Sequence, residues 1–444
     1  REDPVCPGLL FVGSETGIFM SVNDGKNWQK LQGNFPVVPV YDMKIKQDDL
    51  VVGTHGRSFW ILDDLTPLRE LAGQSSGTET EISGIRFFPP RTTYRRTLNW
   101  SVNLFLGDGK NYSPDFGLPG THYQETTPDG EKRLRHLDMG ENPPEGVIVN
   151  YFIESEANLT PEKPLELIVL DANGAEIERF STKKTDEKSD KSESEESESS
   201  DEKPSLTAKV GFNRFVWNMR YPGPEVKIDK TLEKPGYKQL GRISPFGGDT
   251  SGGPAAPPGN YQVQLKTGDA EFIHSFEIIK DPRLNTSPED FSAQFELWIK
   301  IRNRVSDVNS AINRIRRIKL QITELLAREN FNNSAEEKSF GEIQKAAEAL
   351  REKFNTLENE LTQNQYETPS DRLRHPTMLK QRMEALVSVV AVADAAPPQQ
   401  AYSVFEHLSA LIDQRLAELS ELEEQEVVRL NQQIDQAGIR KLQG

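Results

Sequence analysis

The stretch "GTHGRSFWILDD", residues 53–64, sets an imidazole (His55), a guanidinium (Arg57) and two carboxylates (Asp63 and Asp64) close together in sequence. These are the group types used for general acid–base work and for holding an anionic substrate. The intervening "SFWIL" reads as a strand, and adjacent side chains at a strand end point to opposite faces. Asp63 and Asp64 are therefore poor partners for a shared proton-transfer task. A structural role is the competing reading, with Arg57 and Asp63 pairing to neighbouring loops and Trp60 in the core.

A second constellation lies upstream in "SVNDGKNW". Ser21, Asn23 and Asp24 are short polar side chains suited to hydrogen-bonding the backbone of a turn, and Gly25 permits positive φ. Trp28 is expected to pack under the hairpin. All of these residues serve a turn, and none of them requires a substrate.

Other chemistry is sparsely represented. The histidines are His55, His122, His136, His274, His375 and His407, with no H-E-x-x-H or H-x-H arrangement. Cys6 is the single cysteine, which excludes an internal disulfide and a cysteine-based zinc site. No G-x-S-x-G elbow or P-loop is present, and "GDGKNYSPD" lacks the spacing and terminal Glu of a calcium loop. No metal and no cofactor are therefore expected. A net charge of −16 argues against nucleic acid as a partner and against docking on an anionic membrane. No apolar run approaches the roughly 20 residues that span a bilayer. "NRIRRIKLQ" reads as a solvated helix flank, or as a surface for acidic residues of a neighbouring helix.

The elements that must position these groups divide the chain of 444 residues into three parts. Residues 1–72 carry short strands with tight turns, including Val40–Ile45, Leu50–Thr54 and Ser58–Leu62. Four such strands make one β-propeller blade or a little more, and a lone blade cannot bury both faces. With "REDPVCPGLL" lacking an initiator Met and an apolar leader, the remaining blades are expected upstream of Arg1. Residues 85–282 read as a β-sandwich with Trp217, Tyr261 and Phe276 in its core and a hairpin turning at Asn173-Gly174. Its acidic insert 183–203 has no apolar residue and is expected to be a disordered loop. Residues 107–145 lack periodicity and are expected to form an extended surface loop, as is the Gly/Pro-rich Gly247–Gly259.

Beyond Pro282 the pattern turns helical. Ser or Thr in "NTSPEDF" caps a helix with Pro288, Glu289 and Asp290 in its first turn. Trp298, Val305 and Ile312 step by seven, as do Ile301, Val308, Ile315 and Ile322, which is heptad spacing. Further helices are expected over about 335–363, 375–394 and 399–436. Four antiparallel helices, or a long three-plus-one arrangement, would bury these stripes. The fold class is thus multidomain, β then α: partial propeller blade, β-sandwich, then a C-terminal antiparallel helical bundle over 283–444.

"SVNDGKNW" is similar to S-x-D-x-G-x-x-W, the hairpin signature of sialidases and their relatives, and departs from it where Asn23 replaces the first Asp. More broadly, "LLFVGSETGIFMSVNDGKNWQKL", "DLVVGTHGRSFWILDDLTPLREL", "GFNRFVWNMRYPGP" and "PPGNYQVQLKTGDAEFIHSFEIIKDPR" resemble the C-terminal part of exported sortilin-like propeller proteins with BNR repeats. The resemblance covers most of the chain apart from the acidic insert. It implies a final blade, a fibronectin type III or immunoglobulin-like sandwich and a helical bundle, in a periplasmic or extracellular protein. The expected function is a non-catalytic support and interaction module, its partners the upstream blades, a protein or glycan ligand, and a second copy through the bundle. The alternative is a sialidase-like glycoside hydrolase with most of its site upstream, to which His55, Arg57, Asp63 and Asp64 would contribute one wall.

Overall fold

The computed structural model describes residues 1–31, 33–73, 81–82, 84–96, 109–115, 118–126, 132–136, 143–155, 164–182, 206–232, 253–268, 270–327, 334–365, 371 and 373–437. Two compact units are formed. One comprises Arg1–Arg95, Val102–Met219 and Pro258–Asp281; the other comprises Arg96–Ser101, Arg220–Pro257 and Pro282–Gly444. The layout is β, then α. The acidic insert 183–203 and residues 247–252 of the loop expected at 247–259 lie outside the described residues.

The β unit begins with two small antiparallel sheets. Leu10–Ser14 (β1), Gly17–Ser21 (β2) and Gln29–Lys30 (β3) form one; Val40–Lys46 (β4), Asp49–Thr54 (β5) and Phe59–Leu62 (β6) form the other. Alternation along each strand decides what is buried. Leu9 just before β1, Phe11, Ile18 and Met20 from the first sheet, and Met43, Leu50 and Val52 from the second share one apolar core with Leu65. Thr66–Gly73 (α1) follows directly. The short runs therefore divide between two sheets. β3 is only two residues long and exposed, too short to announce itself by pattern.

Twelve further strands follow: Glu81–Ile82 (β7), Ile85–Phe87 (β8), Thr93–Arg95 (β9), Gly109–Asp115 (β10), Leu118–Thr126 (β11), Lys132–His136 (β12), Val147–Ile153 (β13), Leu165–Leu170 (β14), Glu176–Ser181 (β15), Gly211–Trp217 (β16), Gly259–Thr267 (β17) and Ala270–Lys280 (β18). They make sheets of order β16-β13-β8-β7, β15-β14-β17-β18-β9 and β10-β11-β12, with β9 parallel to β18. Ring contacts bring the first two sheets face to face. Trp217 of β16 meets Tyr261 of β17 at 5.9 Å and Phe276 of β18 at 6.3 Å. Phe180 of β15 lies 4.6 Å from Phe215 of β16, and Phe87 of β8 lies 6.2 Å from Phe272 of β18. The aromatic trio expected in the core is thus one buried cluster. Gly174 takes φ 82 in the β14–β15 turn, where Asp171 Oδ1 accepts from the N–H groups of Asn173 and Ala175.

Residues 107–145 differ from expectation: instead of an extended loop, this stretch contains the β10-β11-β12 sheet. Ladder pairing uses backbone groups common to every residue, so strands can pair without apolar alternation.

The α unit is built on Pro288–Leu326 (α2). Ser287 caps it, its Oγ accepting from Asp290 N while Asp290 Oδ2 accepts from Ser287 N, both at 3.1 Å. Ser334–Leu361 (α3), Leu379–Val390 (α4), Gln399–Glu421 (α5), a π turn Leu422–Val427 and Val428–Gln436 (α6) complete it. Both heptad series of α2, from Trp298 to Ile312 and from Ile301 to Ile322, are buried.

Side-chain pairs establish the directions. Arg304 pairs with Asp413 and Arg314 with Glu423, so α5 runs parallel to α2. Glu360 pairs with Arg415 and Lys353 with Glu426, so α3 runs antiparallel to α5. Gln381 near the start of α4 bonds Thr362 at the end of α3, while Val390 at the far end of α4 accepts from Gln294 near the start of α2. α3 and α4 therefore succeed one another along one direction, their 28 and 12 residues together matching the 39 of α2. The result is three columns running up, down and up, rather than four antiparallel helices.

A strap from the chain between β16 and β17 belongs to this unit. Val226 N donates to Ser306 Oγ, Asn309 Nδ2 donates to Val226 O, and Asn313 bonds both Lys227 O and Asp229 N. These buried asparagines explain the polar gap in an otherwise apolar stripe: they bond the backbone of an irregular segment laid along the helix.

Candidate functional site

The turn in "SVNDGKNW" is held by its own side chains. Buried Ser21 accepts from Gly25 N at 2.9 Å, and its hydroxyl donates to Asn23 Oδ1 at 3.0 Å. Asn23 Oδ1 also accepts from Asn27 N at 2.9 Å. The Asn23 side-chain oxygen thus ties Ser21 to the backbone of Asn27 across the turn. Asp24 takes φ 56 and Gly25 φ 77, and Asp24 N bonds Gly8 O at 3.0 Å. Trp28 lies beside Gly25 but is 43% exposed, so it flanks the turn rather than being buried beneath the hairpin. The Ser21 hydroxyl and the Asn23 side-chain oxygen are both committed to the turn.

The residues of "GTHGRSFWILDD" are separated by β6. His55 and Arg57 sit in the exposed β5–β6 turn, where the His55 ring lies 4.9 Å from Tyr41 and Arg57 Nη1 bonds Gly56 O at 3.0 Å. Trp60 Nε1 donates to Arg57 O, and its ring packs edge-on against Phe35 at 5.3 Å. Asp63 and Asp64 lie at the other end of the strand. Four strand residues span about 13 Å at 3.3 Å each, so the two pairs do not converge.

At that far end a different group assembles. β6 stops at Leu62, and Asp64 takes φ 65, so strand alternation does not govern the two carboxylates. Asp64 is buried, with Oδ1 accepting from Thr66 N at 3.1 Å and Oδ2 from Asn150 Nδ2 at 3.3 Å. Asp49 Oδ1, at the start of β5, accepts from Asp64 N at 3.0 Å and from Arg91 Nη1 at 2.9 Å. Asp63 is half-buried and accepts no hydrogen bond from the described residues. Burial pushes its carboxyl above the ordinary Asp value, the negative charges of Asp49 and Asp64 act in the same direction, and Arg91 and Arg214 oppose them. Asn150 and Arg214 are cross-strand partners on β13 and β16.

Asp49, Arg91, Asn150 and Arg214 carry no local sequence signal that joins them to Asp63 and Asp64. Only the docking of the β5–β6 hairpin end against β13 and β16 brings them together. Among the described residues no group of three or more His, Cys, Asp and Glu side chains is arranged to hold a metal ion. No helix there is long and apolar enough to cross a membrane.

Burial raises the Cys6 thiol, reinforced by Asp3, which disfavours the thiolate. The basic cluster of α2 is spoken for: Arg314 pairs with Glu423, Arg316 and Lys319 with Glu358, and Arg317 lies 3.8 Å from Asp229. Comparison of the chain with protein-family models, with curated proteins and with solved structures finds no match.

Proposed function

We propose that this chain is a non-catalytic support and interaction region of an exported sortilin-like β-propeller protein. In this reading β1–β6 belong to propeller blades, the two face-to-face sheets form a fibronectin type III or immunoglobulin-like module, and the helical columns support or oligomerise the whole. One observation carries the reading, the outward face of the β4–β6 sheet. Gly53 pairs with Phe59 and Val51 with Ile61 on that face, and Phe59, Ile61 and nearby Tyr41 are 78%, 56% and 70% exposed. An antiparallel sheet covered on one side ordinarily turns polar residues to water on the other. This one turns apolar residues outward, which suits a further sheet of the kind that β1–β3 already provides on the opposite face. The occupant is an adjoining blade of the same protein.

A photo-crosslinking residue at position 59 of the full-length protein, made in its native host, tests this. Crosslinks to strand segments of the same polypeptide are expected; a position 59 that reacts only with solvent would refute the reading. The separation of His55 and Arg57 from Asp63 and Asp64 favours support and binding over hydrolysis. Sialoside or aryl-glycoside turnover by the full-length protein, abolished by Arg57→Ala or Asp63→Ala, would overturn that preference.

A further inference from the structure

We propose that Asp49, Asp63 and Asp64, with Arg91, Asn150 and Arg214, form a proton-dependent latch that fastens the β4–β6 sheet to the outward face of the β7-β8-β13-β16 sheet. This does not depend on the propeller reading. The latch spans elements far apart in sequence: the start of β5, the β6–α1 turn, the segment after β8, and a cross-strand pair on β13 and β16. Its fixed contacts are Arg91 to Asp49 at 2.9 Å and Asn150 to Asp64 at 3.3 Å. They are locked to one another by Asp64 N donating to Asp49 Oδ1. Asp64 holds a left-handed φ of 65, a conformation uncommon for a residue with a side chain. Its side-chain bonds to Thr66 N and Asn150 keep it there.

The charges do not balance when all groups are ionised. Three carboxylates face two guanidiniums, those of Arg91 and Arg214. Asp49 accepts hydrogen bonds from Arg91 and from Asp64 N, and Asp64 accepts them from Thr66 N and Asn150. Asp63 has no such donor among the described residues, feels the negative charge of both carboxylates, and is the member that takes up a proton. The groups facing it are Asp49 from β5, Asp64 beside it, Arg91 from the segment after β8, and Arg214 from β16.

The sign follows from the raised carboxyl of Asp63. Protonated, it removes the excess negative charge and the latch holds. As pH rises through its folded value, the ionised side chain repels Asp49 and Asp64 and the junction loosens. The penalty is absent below the ordinary Asp range and complete above the raised value.

Hydrogen exchange of the full chain, with exchange times corrected for the intrinsic rate at each pH, reads the latch directly. The amides of 62–66 and 88–92 should open roughly three- to tenfold more readily at pH 7 than in mild acid. Those of β14 and β17 serve as the internal reference. Asp63→Asn at pH 7 should show the acid-state protection and lose the step. Arg214→Gln removes a cation that favours ionised Asp63, and should move the midpoint to higher pH. A flat wild-type profile, a step that persists in Asp63→Asn, or an unmoved midpoint in Arg214→Gln would each overturn the proposal.

Discussion

Glu358 is a buried charge in the helical unit, and truncating it should be costly. Its carboxylate is 5% exposed and bridges Arg316 Nε and Lys319 Nζ, each at 2.7 Å. Burial works against its ionised form, yet the hydrogen bonds and charges of Lys319 and Arg316 outweigh this and hold the carboxyl below its ordinary value. Glu358→Ala leaves two cations facing each other with side chains only 11% and 22% exposed. Removing one partner of a buried pair costs about 3–5 kcal/mol. Arg316 keeps a bond to Asn364 at 3.1 Å, and Lys319 reaches some solvent, so the lower figure, about 3 kcal/mol, applies. With a urea slope of about 2–3 kcal/mol/M, the midpoint should fall by about 1–1.5 M. Ellipticity at 222 nm reads it, because the long helices lie in this unit. Because the folded value is depressed, the contribution is present above the ordinary Glu range and is lost as pH falls through the depressed value. A fall no larger than that of Lys353→Ala, whose pair with Glu426 is exposed and worth about 0–1 kcal/mol, would refute the argument.

Two further outcomes are expected from the β unit. Ser21→Ala removes the acceptor of Gly25 N and the donor to Asn23, and should destabilise the β2–β3 turn by about 1–2 kcal/mol, read by urea unfolding followed through tryptophan fluorescence. Gly146→Ala places a Cβ against the Trp217 carbonyl oxygen and 2.7 Å from Val216 Cγ1, at a φ of +140. A loss of more than about 3 kcal/mol should follow, and a thermal midpoint like that of the wild type would refute the steric argument.

How much was legible varies with how local the cause is. The start of α2 was readable because Ser287, Pro288 and Asp290 act within one turn. Its two heptad series were readable because period alone places them on one face. The Trp217, Tyr261 and Phe276 cluster was recoverable from alternation within each strand. β10–β12 were missed because their pairing rests on the backbone. The polar positions Asn309 and Asn313 gave no hint that a strap from the preceding β region would lie across α2.

The candidate site divides in the same way. The turn chemistry of Ser21, Asn23 and Gly25 was determined by residues within a few positions of one another, so the sequence alone was enough. His55, Arg57, Asp63 and Asp64 looked like neighbours, but an extended β6 holds the two pairs apart, which spacing along the chain does not reveal. Asp63 and Asp64 instead meet Asp49, Arg91, Asn150 and Arg214, contributed by elements up to 165 positions distant from Asp49 at Arg214. Burial and like charge then raise Asp63. Those are properties of a folded neighbourhood, because a charge interacts through space and not along the chain.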